Sequence, residues 1–361
     1  MVKTTALIAI ILLLTSAGLA GQEIKPPSRT PAPQTDKHRD LLRDAVRLHD
    51  KGNYDGAIAS YLEILKENPD DISALYELGF SYFAKGEYQK SLEIANKGAQ
   101  YKSDLLAGFY TLMGNDLDHL GQADKAIKIY KEGIKQFPRD VQLHYNLAIA
   151  LLAAKQPDQA KSSLKNAMSI RPDHPSSHFG LFQLYLNDNY KIPALLSASR
   201  FLVLEPKTAR SAAALKVVNQ IMQGNVQQGK EPNNITVFID PGGKTDEGDF
   251  NAVTGALSIL GAARHLEASK GKSEIRLFID SLASSLSIMS ESTSKQKSSG
   301  FAWDYYRPYF CEIVNRKFVE PFCYYISQSA QSDEVERWLL LNSERVREFL
   351  TWSKSYQWPD R

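Results

Sequence analysis

Residues 75–98 read Leu-Tyr-Glu-Leu-Gly-Phe-Ser-Tyr-Phe-Ala-Lys-Gly-Glu-Tyr-Gln-Lys-Ser-Leu-Glu-Ile-Ala-Asn-Lys-Gly. Leu75, Leu78, Gly79 and Tyr82 mark one helical face, Gly86 breaks it, and Tyr88, Leu92 and Gly98 mark a second. The pattern returns about every 34 residues. Pro69, Pro138, Pro172 and Pro206 close successive copies, with Ser103 standing in once, so units 107–140, 141–174 and 175–208 follow without a gap. Small residues recur where two helices of a hairpin must approach: Gly79, Gly114 and Ala148 in the first helix, Ala57, Ala126 and Ala160 in the second. Gly52, Gly86 and Gly121 fall at the turn between them, where a residue free to take positive φ ends the first helix.

With that period and those positions, residues 38–223 resemble the tetratricopeptide-repeat (TPR) family, as five helical hairpins capped by an apolar helix over 209–223 (Leu215, Val218, Ile221, Met222). The first unit departs from the family pattern with Asp44 and Ala45, the fifth with Phe182 at the small position and Pro193 early in its second helix. The resemblance implies a superhelix whose first helices line a concave groove for a protein or peptide partner, facing it with positions two, five, nine and twelve. Those positions give Tyr76, Phe80 and Phe83 from the second unit, Asn115, Asp118 and neighbouring His119 from the third, Tyr145, Ile149 and Leu152 from the fourth, and Phe179 and Gln183 from the fifth. Exposed apolar side chains around a polar centre suit a peptide with apolar anchors and a hydrogen-bonding or basic middle. The Lys/Arg and Asn set with which some members clamp a carboxylate is missing. The alternative is that the C-terminal region folds back and fills the groove.

At 361 residues the chain exceeds what one core usually holds, so two structured regions are expected. A formal net charge of +2 gives no electrostatic case for a nucleic-acid partner. Lys3, the apolar run Ala6 to Leu14 and the small residues around Gly18-Leu19-Ala20 read as a secretory signal over 1–20, leaving a mature chain that starts at Gly21 or Gln22. An uncleaved anchor is the alternative; no later stretch is long and apolar enough to span a bilayer. Residues 21–37, with Pro26, Pro27, Pro31 and Pro33, are expected to be a spacer.

Residues 224–234 read as a polar linker, and 235–361 as a mostly helical, aromatic-rich domain with one short strand over 235–239. The predicted fold class is therefore mainly α. Phe250, Val253, Leu257 and Leu260 keep helical spacing behind an Asp249 N-cap, as do Ile275 to Met289. A rival reading makes Leu277-Phe278-Ile279 a second strand of a βαβ unit. Ser290 to Gly300 reads as a loop, followed by helices near 302–316, 318–329, 333–341 and 343–356.

Chemical motifs are sparse. Gly242-Gly243-Lys244-Thr245 looks like the tail of a phosphate loop but has Phe238 where that loop needs glycine. Asp240, Asp246, Glu247 and Asp249 match no calcium-loop spacing and are expected to be solvated charge. His174 and His178 are four apart, yet Pro175 opens a helix between them, which favours a structural role over a metal pair. Neither a Gly-x-Ser-x-Gly elbow nor a His-Glu-x-x-His pair occurs. Asn234-Ile235-Thr236 forms a glycosylation acceptor pattern. Cys311 and Cys323 offer a disulfide in an exported chain, with two buried thiols as the alternative. The reading that follows is an exported, non-enzymatic interaction scaffold without cofactor or metal, its oligomeric state not fixed by any pattern. The competing reading is an envelope enzyme acting through its C-terminal region.

Overall fold

The computed structural model describes residues 26–224, 226–228, 235–238, 244–265, 269–291 and 298–359. The expected signal, Asn234, Asp240 and Gly242-Gly243 lie outside these residues. Five hairpins follow one another: α1 (Asp36–Asp50) with α2 (Tyr54–Glu67), α3 (Ile72–Ala84) with α4 (Tyr88–Gly98), α5 (Leu106–His119) with α6 (Ala123–Gln136), α7 (Val141–Ala153) with α8 (Pro157–Ile170), and α9 (Pro175–Asn187) with α10 (Lys191–Leu204). The cap α11 (Ala209–Gln223) starts from a capping box between Thr208 and Ser211. Close packing explains the small positions: a Cβ on Gly114 would lie 2.2 Å from the ring of Tyr130, itself fully buried. Gly52, Gly86 and Gly121 take positive φ at the intra-hairpin turns, and in the last two units Lys155 and Asn189 adopt the same conformation without glycine.

Residues 26–35 are not a free spacer. The Ser28 and Arg29 amides both donate to the Gln100 carbonyl at 3.0 Å, and Lys102 donates to the Arg29 carbonyl at 2.9 Å. The Ala32 amide reaches the Asp70 carbonyl, while the Arg29 guanidinium pairs with Asp70 and lies 4.6 Å from the Tyr101 ring centre. A proline-rich segment cannot coil into a helix, but its remaining backbone groups can pair with the open backbone of the inter-repeat turns. The segment thus straps the α2–α3 and α4–α5 junctions.

After the array, β1 (Val226–Gln228) pairs antiparallel with β2 (Ile235–Val237), so the expected linker supplies one strand of a two-stranded ribbon. There follow α12 (Asn251–Ala263), α13 (Glu274–Glu291), a π-helical turn over 302–306 running into α14 (Arg307–Asn315), α15 (Val319–Ile326), a 3₁₀ turn over 328–330, α16 (Asp333–Leu341) and α17 (Ser343–Ser355). One expectation is corrected and one rival reading falls. Phe250, not Asp249, occupies the N-cap of α12, although the Asp249 carboxylate still accepts from the Asn251 amide at 3.1 Å. Leu277-Phe278-Ile279 is helical, because Phe278, Ile279, Leu282, Leu286 and Met289 present one buried stripe. Cys311 and Cys323 are free thiols; Cys323 is wholly enclosed, and burial pushes its thiol far above the ordinary range.

The boundary at 224–234 does not divide the packing. One apolar core runs from Leu75 in α3 to Phe349 in α17, and a smaller cluster around Ala45, Tyr61 and Leu78 serves the first hairpin. Helix α10 is the hinge of this arrangement, with every residue from Ile192 to Val203 buried. Its Arg200 donates to the Ser353 hydroxyl at 2.9 Å and to the Tyr309 hydroxyl, and stacks over Trp358. Tyr305, Tyr306, Tyr309, Phe310, Phe322 and Phe349 are core residues, which accounts for the aromatic richness of the C-terminal region.

Candidate partner-binding groove

Helices α1, α3, α5 and α7 touch in succession, placing the first helices on the inner side of the curve. Phe80 is 42% exposed, Ile149 43% and Leu152 36%, and each points from this inner side. Phe80 stacks at 5.1 Å on His49, whose Nδ1 meets the Ser81 hydroxyl at 2.8 Å. Gln183 and His119 are exposed as well; His119 stacks on Tyr88 at 4.5 Å and stands edge-on to Phe83 at 5.2 Å.

The remaining apolar candidates are walls, not open anchors. Half-buried Tyr76 packs edge-on against Phe109 at 5.4 Å and covers Gly108, where a Cβ would come within 2.7 Å of its ring. Tyr145 stands at 5.1 Å from the His174 ring, and Phe179 sits between Phe201 and Phe182 beneath the Arg210 guanidinium. Sequence spacing could assign these residues to the inner side but not their share of inter-helix packing.

The polar centre is a ladder. Asn115 Oδ1 accepts from the Tyr130 hydroxyl at 2.7 Å and from Asn146 Nδ2 at 2.8 Å, and Asn146 Oδ1 accepts from Gln142 at 2.8 Å. One Asp118 oxygen accepts from Tyr130 at 3.3 Å; the other has no partner. Burial raises the Asp118 carboxyl above its ordinary range, with the Tyr130 hydroxyl and His119 offsetting part of the shift. Leu186, at position twelve of the fifth unit, was reachable by the same spacing yet missed; it is 42% exposed. His49 occupies that position in the first unit.

The C-terminal region packs on α8 to α10 and leaves this face open among the described residues. Tyr305 donates to the Met168 carbonyl at 3.1 Å, and His178 Nδ1 meets the Tyr306 hydroxyl at 2.8 Å. His178 Nε2 contacts the Pro172 carbonyl, and burial presses the imidazole down to about 3, so the ring is neutral. His174, lowered by burial to about 4, engages Ser177. Both nitrogens of His178 are therefore occupied by structural contacts. The acidic stretch is not solvated charge throughout: Glu247 is buried and accepts from Lys165, from the Tyr185 hydroxyl at 2.8 Å and from the Ala302 amide at 3.3 Å. Asp246 accepts from the Tyr190 hydroxyl.

Comparison with known proteins gives two family matches, one described as "TPR repeat" over residues 47–86 and one as "Tetratricopeptide repeat" over residues 119–165. BBSome complex member bbs-4 of Caenorhabditis elegans is 26% identical over 189 residues, 50% of this chain and 40% of that protein. The chain thus spans about two fifths of the length of that relative. Among solved structures, a thermophilic TPR protein of Thermus thermophilus is 27% identical, over 50% of this chain and 99% of that one, with a TM-score of 0.43. Pseudomonas aeruginosa pilF is 18% identical, over 52% and 90%, with a TM-score of 0.45.

Proposed function

Because residues 38–223 form a tetratricopeptide-repeat array, we propose that the protein is an exported scaffold that holds a segment of another protein along the inner face of the array. The observation that carries this is that Phe80 on α3, Ile149 and Leu152 on α7 and Leu186 on α9, all large, apolar and more than a third exposed, occupy the same inner register of the first helices, with the polar Asn115 and Asp118 of α5 between them. Covering what they still expose would contribute on the order of 3 kcal/mol at about 2 kcal/mol per fully buried side chain. The relative bbs-4 is, by its name, a member of a complex, which is the same kind of role. Export rests on the basic, apolar and small-residue order of the first twenty positions.

A photo-crosslinking residue placed at Ile149 in the full chain should give a discrete adduct in cells. The same residue at Leu62, equally apolar and 47% exposed but on the second helix α2, should not. Matching adduct patterns at both positions, or none at Ile149, would overturn the groove reading. N-terminal sequencing of the protein outside the cytoplasm should begin at Gly21 or Gln22; a chain starting at Met1 there would exclude a cleaved signal.

A further inference from the structure

Arg200 is buried to 3% exposure, yet no carboxylate pairs with it among the described residues. Other largely enclosed cations each meet an acid: Lys161 pairs with Asp188 at 2.6 Å, Lys165 with Glu247, and Arg264 with Glu274 at 2.8 Å. Both hydrogen bonds of Arg200 leave from one nitrogen, Nη1 donating to the Ser353 hydroxyl at 2.9 Å and to the Tyr309 hydroxyl at 3.3 Å. Its Nε is buried without a partner, and Nη2 makes no hydrogen bond among the described residues. In a planar guanidinium, Nε–H and one Nη2–H point the same way and form the edge that takes both oxygens of a carboxylate. The edge without a protein partner is therefore the bidentate one. The walls around it are rings, and one wall is loosely tied. Tyr305, Tyr309 and Ser353 are buried, whereas Trp358 is half-buried and lies in the tail 356–359, which makes no backbone hydrogen bond among the described residues. The Trp358 indole stacks on Tyr305 at 4.7 Å and on Tyr309 at 4.9 Å, and its centre is 5.0 Å from the guanidinium carbon.

We propose that this box is a binding site for an aromatic carboxylate, whose acid group takes the bidentate edge of Arg200 and whose ring takes the seat now held by the Trp358 indole. The site lies between α10 and the C-terminal region, apart from the groove. Charge argues for the acid. A guanidinium withdrawn from water without a counter-charge is costly, and contact with ring faces offsets only part of that cost. Arg200 is the one cation that touches Tyr309, Ser353 or Trp358 among the described residues, so a singly charged carboxylate matches the box better than a phosphate. The stacked indole argues for the ring, since Tyr305 and Tyr309 already hold a flat bicyclic group there through side-chain contacts. Of the residues that touch Arg200, Trp358 is the one that reaches solvent, so its displacement opens the way in.

The test is calorimetric titration of the full chain at neutral pH with indole-3-acetate and with its neutral isostere, indole-3-acetamide. The acid should bind about tenfold or more tightly than the amide. Trp358→Gly, which removes the internal competitor, should tighten the acid by about tenfold and keep its preference over the amide. Arg200→Lys, which keeps the charge but not the two parallel N–H groups, should lose most of that preference. Should either variant fail to melt cooperatively, the comparison of acid and amide in the parent chain decides. N-acetyl-alanyl-tryptophan carries the same ring and acid at the end of a chain. Tighter binding than indole-3-acetate would assign the site to the end of a polypeptide and weaker binding to a free acid, and either result supports the site. Equal affinities for acid and amide, no binding of the acid to the parent chain, or binding confined to Trp358→Gly would overturn the proposal.

Discussion

Asp116 sits within α5 with no exposed surface, and neither of its oxygens nor the neighbouring Ser91 hydroxyl finds a hydrogen-bond partner. Burial pushes its carboxyl up to about 7, Ser91 offsetting part of the shift. A carboxyl raised in the folded state binds its proton more tightly there than in the unfolded chain. The folded state is therefore favoured most below the unfolded value near 3.8, and this contribution is lost as pH rises through about 7. Melting followed from pH 4 to pH 8 should show stability falling by about 4 kcal/mol from this group alone. Asp116→Asn, which mimics the protonated side chain, should be more stable than the parent at pH 8 and flat across the window. A parallel pH profile in both proteins would show that the side chain gains water or a partner in solution. The repeat register placed this residue next to the groove set, but nothing in local sequence distinguishes an enclosed Asp116 from the half-exposed Asp118 two positions later. That difference comes from α4, which lies over one side of α5 and not the other.

At the scale of elements, the segment 244–250 does more than its composition suggests. Glu247 ties α8 and α9 to the start of the π-helical turn, its backbone carbonyl also accepting from the Trp303 amide at 3.0 Å. Gly300 passes so close that a Cβ there would lie 2.3 Å from the Glu247 carbonyl carbon. Removing the carboxylate charge would strand the Lys165 ammonium, itself largely buried. Glu247→Gln should therefore cost about 3 kcal/mol, with a matching fall in denaturant midpoint. Asp280→Asn, which breaks the exposed pair with Lys272, should cost less than about 1 kcal/mol. Equal losses for the two substitutions would show that the clamp carries no special weight. Helical spacing made α13, α14, α15 and α17 legible almost residue by residue, since each buries several residues along one side. The role of Glu247 was not legible, because its partners Lys165, Tyr185 and Ala302 come from distant parts of the chain and no spacing rule connects them.

At the scale of the whole molecule, the five hairpins were legible because each repeats the same local packing problem, so one unit teaches the next. The join to the C-terminal region was not, since α10 belongs to the repeat pattern in sequence and to a shared core in space. The strap over 26–35 was hidden for another reason: its contacts are made by backbone groups, to which any residue pattern is nearly blind. Its presence has a mechanical side. A stack of hairpins stretches and coils like a spring, with the compliance spread over its junctions. Here the strap pins the α2–α3 and α4–α5 junctions, and the C-terminal region grips α8, α9 and α10. Among the described residues, the α6–α7 junction is left as the turn of the spring with no such brace. The Asn115–Asn146 hydrogen bond crosses between the two first helices at that turn. Because the other junctions carry these additional ties, stretching the array from its ends is expected to open this junction first, and the Asn115–Asn146 bond is the contact that such opening must break.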